Sequence, residues 1–353
     1  MAECRIIYLV LVMLITSLPG YGQHGTSEPE NHGTAEEEFA ATEFILEHIA
    51  DSHEWHILTT PGGHHVSVYL PVILYSKYTG FHLFSSKRLA HGHHHEGFFV
   101  QEEGPQEGRI AEEEYPVDGE IYYLPLDFSV TKNVAAMIVV AIIVIMLFTS
   151  LARSYRRTGV SEPRGLQGFL EPLILFVKED IAIPNIGDKH EKFLPYLLTV
   201  FFFILFNNVF GLVPFFPFGA NVTGNIAVTL VLASFTFLVT QFSGNKAYWR
   251  HVFATPGVPF WLLPVMMVVE LIGIIAKPFA LMVRLFANIT AGHIIVIALV
   301  SVIFIFKTLW VLPGAVVFVL FMDCLELLVA FLQAYVFTLL SALFIGIAVE
   351  EHH

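Results

Sequence analysis

Apolar residues fill the last two thirds of the chain in long blocks, whereas the first third interleaves short apolar runs with polar ones. The first uninterrupted block, VAAMIVVAIIVIMLFTSLA at residues 134–152, has about the 20 residues that a bilayer core demands and predicts a membrane-spanning helix. Arg153, Arg156, Arg157 and Arg164 follow it, so the positive-inside rule puts that end in the cytoplasm. Residues 165–185 set Leu166, Phe169, Leu170, Leu173 and Phe176 on one helical face and Glu171, Lys178 and Glu179 off it, the pattern of a helix lying along the membrane surface. A second span is predicted from about Phe193 to Pro214 and a third from about Ile226 to Phe242, joined by the charge-free PFFPFGANVTGN. Lys189, Lys192, Lys246 and Arg250 return the outer ends of this hairpin to the cytoplasm. From about Trp261 to Phe306, and again from about Pro313 to Val349, the pattern is helical almost without a break. The last helix would be about 55 Å long against a hydrocarbon core of about 30 Å. Both long helices must therefore tilt, bend or project, a shape suited to lying against another membrane body.

The first third reads differently. Arg5, the apolar IIYLVLVMLI and then SLPGYGQ have the layout of a cleavable secretory signal over residues 1–22. Residues 23–128 form a Glu- and His-rich extramembrane extension. Within it, EEEFAATEFILEHIADSHEW spaces Phe39, Phe44, Ile45 and Ile49 as a short amphipathic helix would. Alternation in HHVSVYLPVILY predicts a strand, and YPVDGEIYYLPLDF is a weaker second candidate. The fold class is thus an all-α polytopic membrane protein of about five membrane-embedded helices. The last two form a long tilted hairpin, and an amphipathic surface helix and a small N-terminal region complete it; residues 129–353 are the membrane domain.

Composition agrees with the pattern and narrows function. Of 353 residues, 55% are hydrophobic and 14% charged, where a soluble domain carries about a quarter charged, which excludes a soluble enzyme, a disordered chain and a disulfide scaffold. The net charge of -13 is concentrated before residue 128, in runs such as Glu36–Glu38 and Glu112–Glu114, and argues against nucleic acid as a partner. Cys4 and Cys324 support neither a disulfide framework nor a thiolate metal site. A leader followed by a positive-inside membrane domain points to a bacterial inner membrane, the amino terminus outside and the carboxyl terminus in the cytoplasm.

Ionisable groups inside membrane helices cost several kcal/mol unless paired or wetted, so each is a candidate for function. The penultimate helix carries Glu270, Lys277, Arg284 and His293 with Asn288; the last carries Asp323 and Glu326 with Gln333. At 100° per residue, Glu270, Lys277 and Asn288 fall within about 40° of Arg284, a polar stripe, while His293 points to the opposite side. Asp323, Glu326 and Gln333 share a face of the last helix. Taken singly, Asn288 and Gln333 read as interhelical glue and Lys277 as a snorkelling side chain. Arg284 cannot shed its charge and sits among Leu281, Met282, Val283, Leu285 and Phe286, so it requires a carboxylate or water. Glu326 and His293 have the chemistry of proton stepping points, or of a structural bond tying the two helices.

KPFALMVRLFANITAGH at 277–293 resembles subunit a of the F-type ATP synthase, the membrane stator of a proton-driven rotary motor. Glu270 fourteen residues before the arginine, LQAYVF at 332–337, NNVFGLVPF at 207–215 and ANVTGNIAVTL at 220–230 carry the likeness over about residues 128–351. The resemblance implies that Arg284 faces the c-ring carboxylates and acts as a barrier, and that Glu270 belongs to the cytoplasmic half-channel. It implies that Asn288 and Gln333 flank the ring contact, and that His293 and Glu326 are neighbours in the outer half-channel, with acid and imidazole exchanged relative to some members. Asp323 lies on the same proton path. Implied partners are the c-ring, the peripheral-stalk subunit b, the catalytic head indirectly, and the lipid bilayer. No GxxxxGK[ST] motif is present, so nucleotide chemistry belongs to other subunits and no cofactor is expected in this chain.

The extension offers His91, His93, His94 and His95 beside Glu96, and His64 with His65, as weak metal candidates. Consecutive histidines cannot all converge on one ion; a solvated buffering surface or a spacer explains them as well. Two rivals remain in view: an ion-coupled secondary transporter, which would show internally repeated halves that are absent from this sequence, and a membrane anchor presenting a metal-capturing domain.

Overall fold

In a computed structural model of the chain, the described residues are 51–59, 65–101, 108–113, 123–158, 165–213, 217–253, 258–306 and 312–350. The residues read as a leader, 1–22, and most of the predicted amphipathic stretch, residues 36–50, lie outside them. The chain divides into two compact units, the first centred on Ala50–Ala136 and the second on Met137–Val213 and Gly219–His353.

The first unit is built of small antiparallel sheets. β1 (Glu54–Thr59) pairs with β2 (His65–Tyr69); β3 (Pro71–Ser76) lies between β4 (Gly80–Ser85) and β7 (Leu126–Asp127); β5 (Phe98–Val100) pairs with β6 (Ile110–Glu112). The run predicted as one strand is two, because Leu70 leaves both ladders. Its N–H donates to Ser86 Oγ at 3.1 Å and its carbonyl accepts from the Ser86 N–H at 2.9 Å. Val72, Leu74, Phe84, Leu89, Phe98 and Ile110 make the core. Glu112 is buried beside it, and both carboxylate oxygens are satisfied by hydroxyls, Ser76 Oγ at 2.5 Å and Thr79 Oγ1 at 2.9 Å, which offsets the cost of desolvation. The weaker strand candidate contributes β7 and the pairing of Tyr123 with Glu112.

Helix α1 (Lys132–Thr158) starts inside this unit and is capped by it. Asp51 Oδ1 accepts the Asn133 N–H at 3.1 Å, Asp51 Oδ2 accepts Thr131 Oγ1 at 2.8 Å, and the Lys132 N–H reaches Ser52 O at 2.9 Å. Three donors at the helix start that would otherwise lack partners are thereby satisfied.

Among its described residues the second unit holds helices and no strand. α2 (Leu166–Phe176) runs through a π-helical stretch, Val177–Ala182, into α3 (Ile183–Ile186). After a turn at Gly187, whose φ of 70° suits a residue without Cβ, α4 (His190–Gly211) follows. α5 (Ile226–Ser243), α6 (Lys246–Phe253), α7 (Leu263–Phe306) and α8 (Leu312–Val349) complete it. Among the described residues, five helical stretches are long and apolar enough to cross a membrane: Lys132–Arg156, Leu166–Gly211, Ile226–Ser243, Leu263–Leu299 and Pro313–Val349. α8 packs against α3, α4, α5 and α7, so the last helix is the one around which the unit closes. Leu197, Phe201 and Ile204 of α4 meet Ile181, Leu285, Phe337 and Ile345 in one buried cluster.

The amphipathic segment departs in part from its predicted face. Leu170, Leu173 and Phe176 join the core, but Leu166 and Phe169 are exposed. The π-helical stretch turns less per residue and swings Val177, Ile181 and Ala182 inward instead. α6 is an addition to the predicted elements; Asn245 opens it by accepting the Tyr248 N–H at 2.7 Å, a cap legible only once the preceding helix is known to stop at Ser243.

Candidate functional site

The two long helices α7 and α8 carry the ionisable groups, and their antiparallel packing decides which meet. Leu281, Met282, Leu285 and Ile289 form the buried face of α7. Arg284 lies at the border of that face, so its backbone touches α8 while its side chain is exposed, as are Lys277 and Asn288; Glu270 is half-buried. Gln333 Nε2 of α8 donates to the Arg284 carbonyl at 3.4 Å. This ties Gln333 to the arginine's turn of helix and leaves the guanidinium directed out of the unit.

Nine residues further along α7, His293 Nδ1 stands 3.5 Å from Glu326 Oε1. Seven residues separate Glu326 from Gln333, so the two contacts are the same antiparallel register read at two heights. Glu326 is only 6% exposed, and Oε1 makes no hydrogen bond among the described residues. It is a buried carboxylate oxygen with acceptor capacity left, next to an imidazole, the arrangement needed to take up and pass on a proton. Gly292 makes the approach possible: a Cβ there would lie 3.0 Å from Glu326 Oε1.

Asp323 does not join them. It is exposed on α8: three residues rotate it about 60° from Glu326, and at this height the buried residues Val319, Glu326 and Ala330 span only about 40°. The shared face therefore holds for Glu326 and Gln333, and Asp323 looks outward beside it.

Polar groups that periodicity alone did not single out line the other side of α8. Tyr196 of α4 and Thr236 of α5 bond through their hydroxyls at 2.8 Å, and Thr236 reaches Ser341 of α8 at 3.3 Å. Thr229, Ala233, Thr236 and Thr240 form a buried stripe of small residues along α5, a spacing of four, three and four that was available in the sequence. Below it, Thr240, Gln241, Tyr248 and Lys277 line a cavity of about 20 Å³, room for about one water, with Lys277 Nζ 5.6 Å from the Phe344 ring centre. Asn208 Oδ1 accepts Thr223 Oγ1, and its Nδ2 donates to the Ala330 carbonyl at 3.5 Å, fastening α4 and the loop before α5 to α8.

In the first unit the histidines are dispersed among carboxylates. His53 Nε2 lies 3.1 Å from Asp127, His82 Nδ1 2.8 Å from Glu96 and His94 Nδ1 3.0 Å from Glu113. His95 stands 2.7 Å from Arg88, and His93 is exposed. His64 and the side chains of His65 and His91 lie outside what the structure describes. Among the described residues no three such side chains gather to hold a metal ion.

Comparison with known proteins gives two matches to families. Residues 134–346 match the family described as ATP synthase A chain, and residues 44–128 match a family described only as a domain of unknown function. The chain is 48% identical over 234 residues to ATP synthase subunit a of Chloroherpeton thalassium, covering 64% of this chain and 69% of that one. It is 47% identical over 229 residues to ATP synthase subunit a 2 of Chlorobaculum tepidum, covering 63% and 64%. With ATP synthase subunit a of an Anaeromyxobacter species it shares 45% over 246 residues, 67% of this chain and 58% of that one.

Proposed function

Because the chain belongs to the ATP synthase A chain family, we propose that it is the stator subunit through which protons cross the membrane in a rotary ATP synthase. Two offset half-channels meet a c-ring on either side of Arg284. The observation that carries this reading is the division of labour on α7: Arg284, Lys277 and Asn288 are exposed along one line, while His293 turns back into the chain to meet Glu326. A permanent cation directed out of a membrane helix needs a carboxylate on whatever body lies there. A c-ring carboxylate supplies it: the guanidinium lowers the pKa of the arriving acid, releases its proton and repels any proton that would pass straight through.

On the outer side, protons reach the ring through His293 and Glu326, with Asp323 and Asn288 next along the path. On the inner side they leave by way of Glu270. Gln333 holds the arginine's helix turn in register. At about 2.3 kcal/mol per charge per 100 mV, several protons supply the energy for one ATP, which is made by partner subunits. The peripheral-stalk subunit b holds the chain against the turning ring. Residues 1–22 act as a signal peptide, residues 23–128 lie outside a bacterial inner membrane, and the carboxyl terminus faces the cytoplasm.

Replacing Arg284 with Ala tests the reading. ATP-driven acidification of inverted vesicles is expected to vanish in a complex that still assembles, and passive proton leak to rise once the catalytic head is stripped. Unchanged pumping would return the ion-coupled transporter to first place.

A further inference from the structure

The three-stranded sheet of the first unit is covered on one face and bare on the other. Strand register sets Phe81, Tyr75 and Leu126 abreast, then Leu83, Ile73 and Phe128, then Ser85, Pro71 and Val130. The last two rows are fixed by hydrogen bonds from the Phe128 N–H to Ile73 O at 2.8 Å and from the Val130 N–H to Pro71 O at 3.1 Å. Val72, Leu74 and Phe84 point to the opposite face and are buried. Tyr75, Phe81, Leu83, Leu126 and Phe128 are between 49 and 66% exposed. An antiparallel sheet with one face in water carries polar residues there; this one carries Ser85 alone in a grid otherwise apolar.

The chain itself says what lies against that face. Phe128 is four residues from Lys132, the first residue of α1, and so lies within about 14 Å of it; Leu126 lies within about 20 Å. The 25 apolar-rich residues Lys132–Arg156 extend about 37 Å, so their first turn sits in the headgroup layer that flanks a core of about 30 Å. The hydrogen bonds from Asp51 and Ser52 hold that first turn to the same unit as the sheet. Exposed Lys77 and Tyr78 stand at one end of the face, and exposed Lys87 and Arg88 at the other. Cations and amphipathic aromatics bordering an apolar surface suit anionic headgroups over acyl chains.

We propose that this sheet face is a membrane contact in its own right, resting in the headgroup–acyl boundary of the leaflet from which α1 departs and inserting Phe81, Leu83, Leu126 and Phe128. It fixes the first unit on the lipid at a second place besides α1.

The test uses the full chain in its assembled complex, in vesicles of phosphatidylethanolamine and phosphatidylglycerol, with both native cysteines replaced by serine. Nitroxides are attached singly at L83C, F128C and, as an aqueous reference, E113C. At 83 and 128 collision with lipid-soluble oxygen is expected to exceed collision with a water-soluble nickel chelate, with the reverse order at 113. Chelate-dominated collision at 83 and 128 would overturn the proposal in favour of a face in water. Low accessibility to both reagents would overturn it in favour of a protein cover, either a second copy or another subunit.

Discussion

Removing either member of the His293–Glu326 pair is expected to slow proton transport, and removing both is expected to cost no more than removing one. At 3.5 Å and an effective dielectric near 20, a carboxylate and an imidazolium attract by about 5 kcal/mol before desolvation is counted. Desolvation of the buried Glu326 opposes this, and coupling energies measured between contacting groups fall to about 1–3 kcal/mol. In rate that is a shortfall of about 5- to 150-fold from multiplicative behaviour. His293→Ala and Glu326→Ala should each lower ATP-driven acidification of inverted vesicles by about 100-fold, the scale of a lost proton-transfer group. The double variant should also lie near 100-fold, where independent sites would give about 10,000-fold. Exchanging the two residues keeps the pair and should recover the rate to within about tenfold of the unmodified chain. ATP hydrolysis by the coupled head, measured on the same vesicles, checks assembly. Single losses that multiply in the double variant, together with no recovery in the exchange, would refute a shared transfer step and leave the contact a structural bond.

Two further outcomes follow from the geometry. A Cβ at Gly346 would fall 1.9 Å from the Asn185 carbonyl oxygen, backbone against backbone, so Gly346→Ala forces α8 away from α3 by more than 1 Å. It should destabilise the membrane unit by about 1–3 kcal/mol or more, read as a lower thermal midpoint of the purified complex, and an unchanged midpoint would contradict the packing described. Burial raises the Asp127 carboxyl, but hydrogen bonds from His53 and Ser129 and the His53 charge outweigh it and hold the group below its ordinary value of 3.8. A carboxylate depressed on folding stabilises above its unfolded pKa and loses that contribution as pH falls through the lower folded one. Hydrogen-exchange protection of β3, normalised for intrinsic rates, should therefore be weaker in Asp127→Asn than in the unmodified chain at pH 6, and the gap should close below about pH 4; a gap independent of pH would mean that the charge is not what matters.

Helix positions and lengths are legible in the amino-acid pattern by itself. Lipid requires each spanning backbone to satisfy its own hydrogen bonds, so a long apolar block has little choice but helix; α5, α7 and α8 end within two residues of where the pattern places them, and α1 runs six residues past its apolar block. The 3.6-residue period likewise puts Arg284, Lys277 and Asn288 on one side of α7 and turns His293 away from them. Periodicity within one helix does not say what another helix brings opposite. The pairing of His293 with Glu326 is suggested by family likeness and not by spacing; only the register of α7 against α8 produces the 3.5 Å contact and the tie from Gln333 to the Arg284 carbonyl. The first unit depends on tertiary structure still more. Its strands are three to six residues long apart from the two-residue β7, too short for alternation to fix partners, and the bare apolar face exists only because β3, β4 and β7, with Val130 beyond it, align residues up to 59 positions apart in the chain. Local chemistry determines which segments become helices, whereas contacts between distant segments, stabilised by burial across the whole unit, determine which side chains share a site.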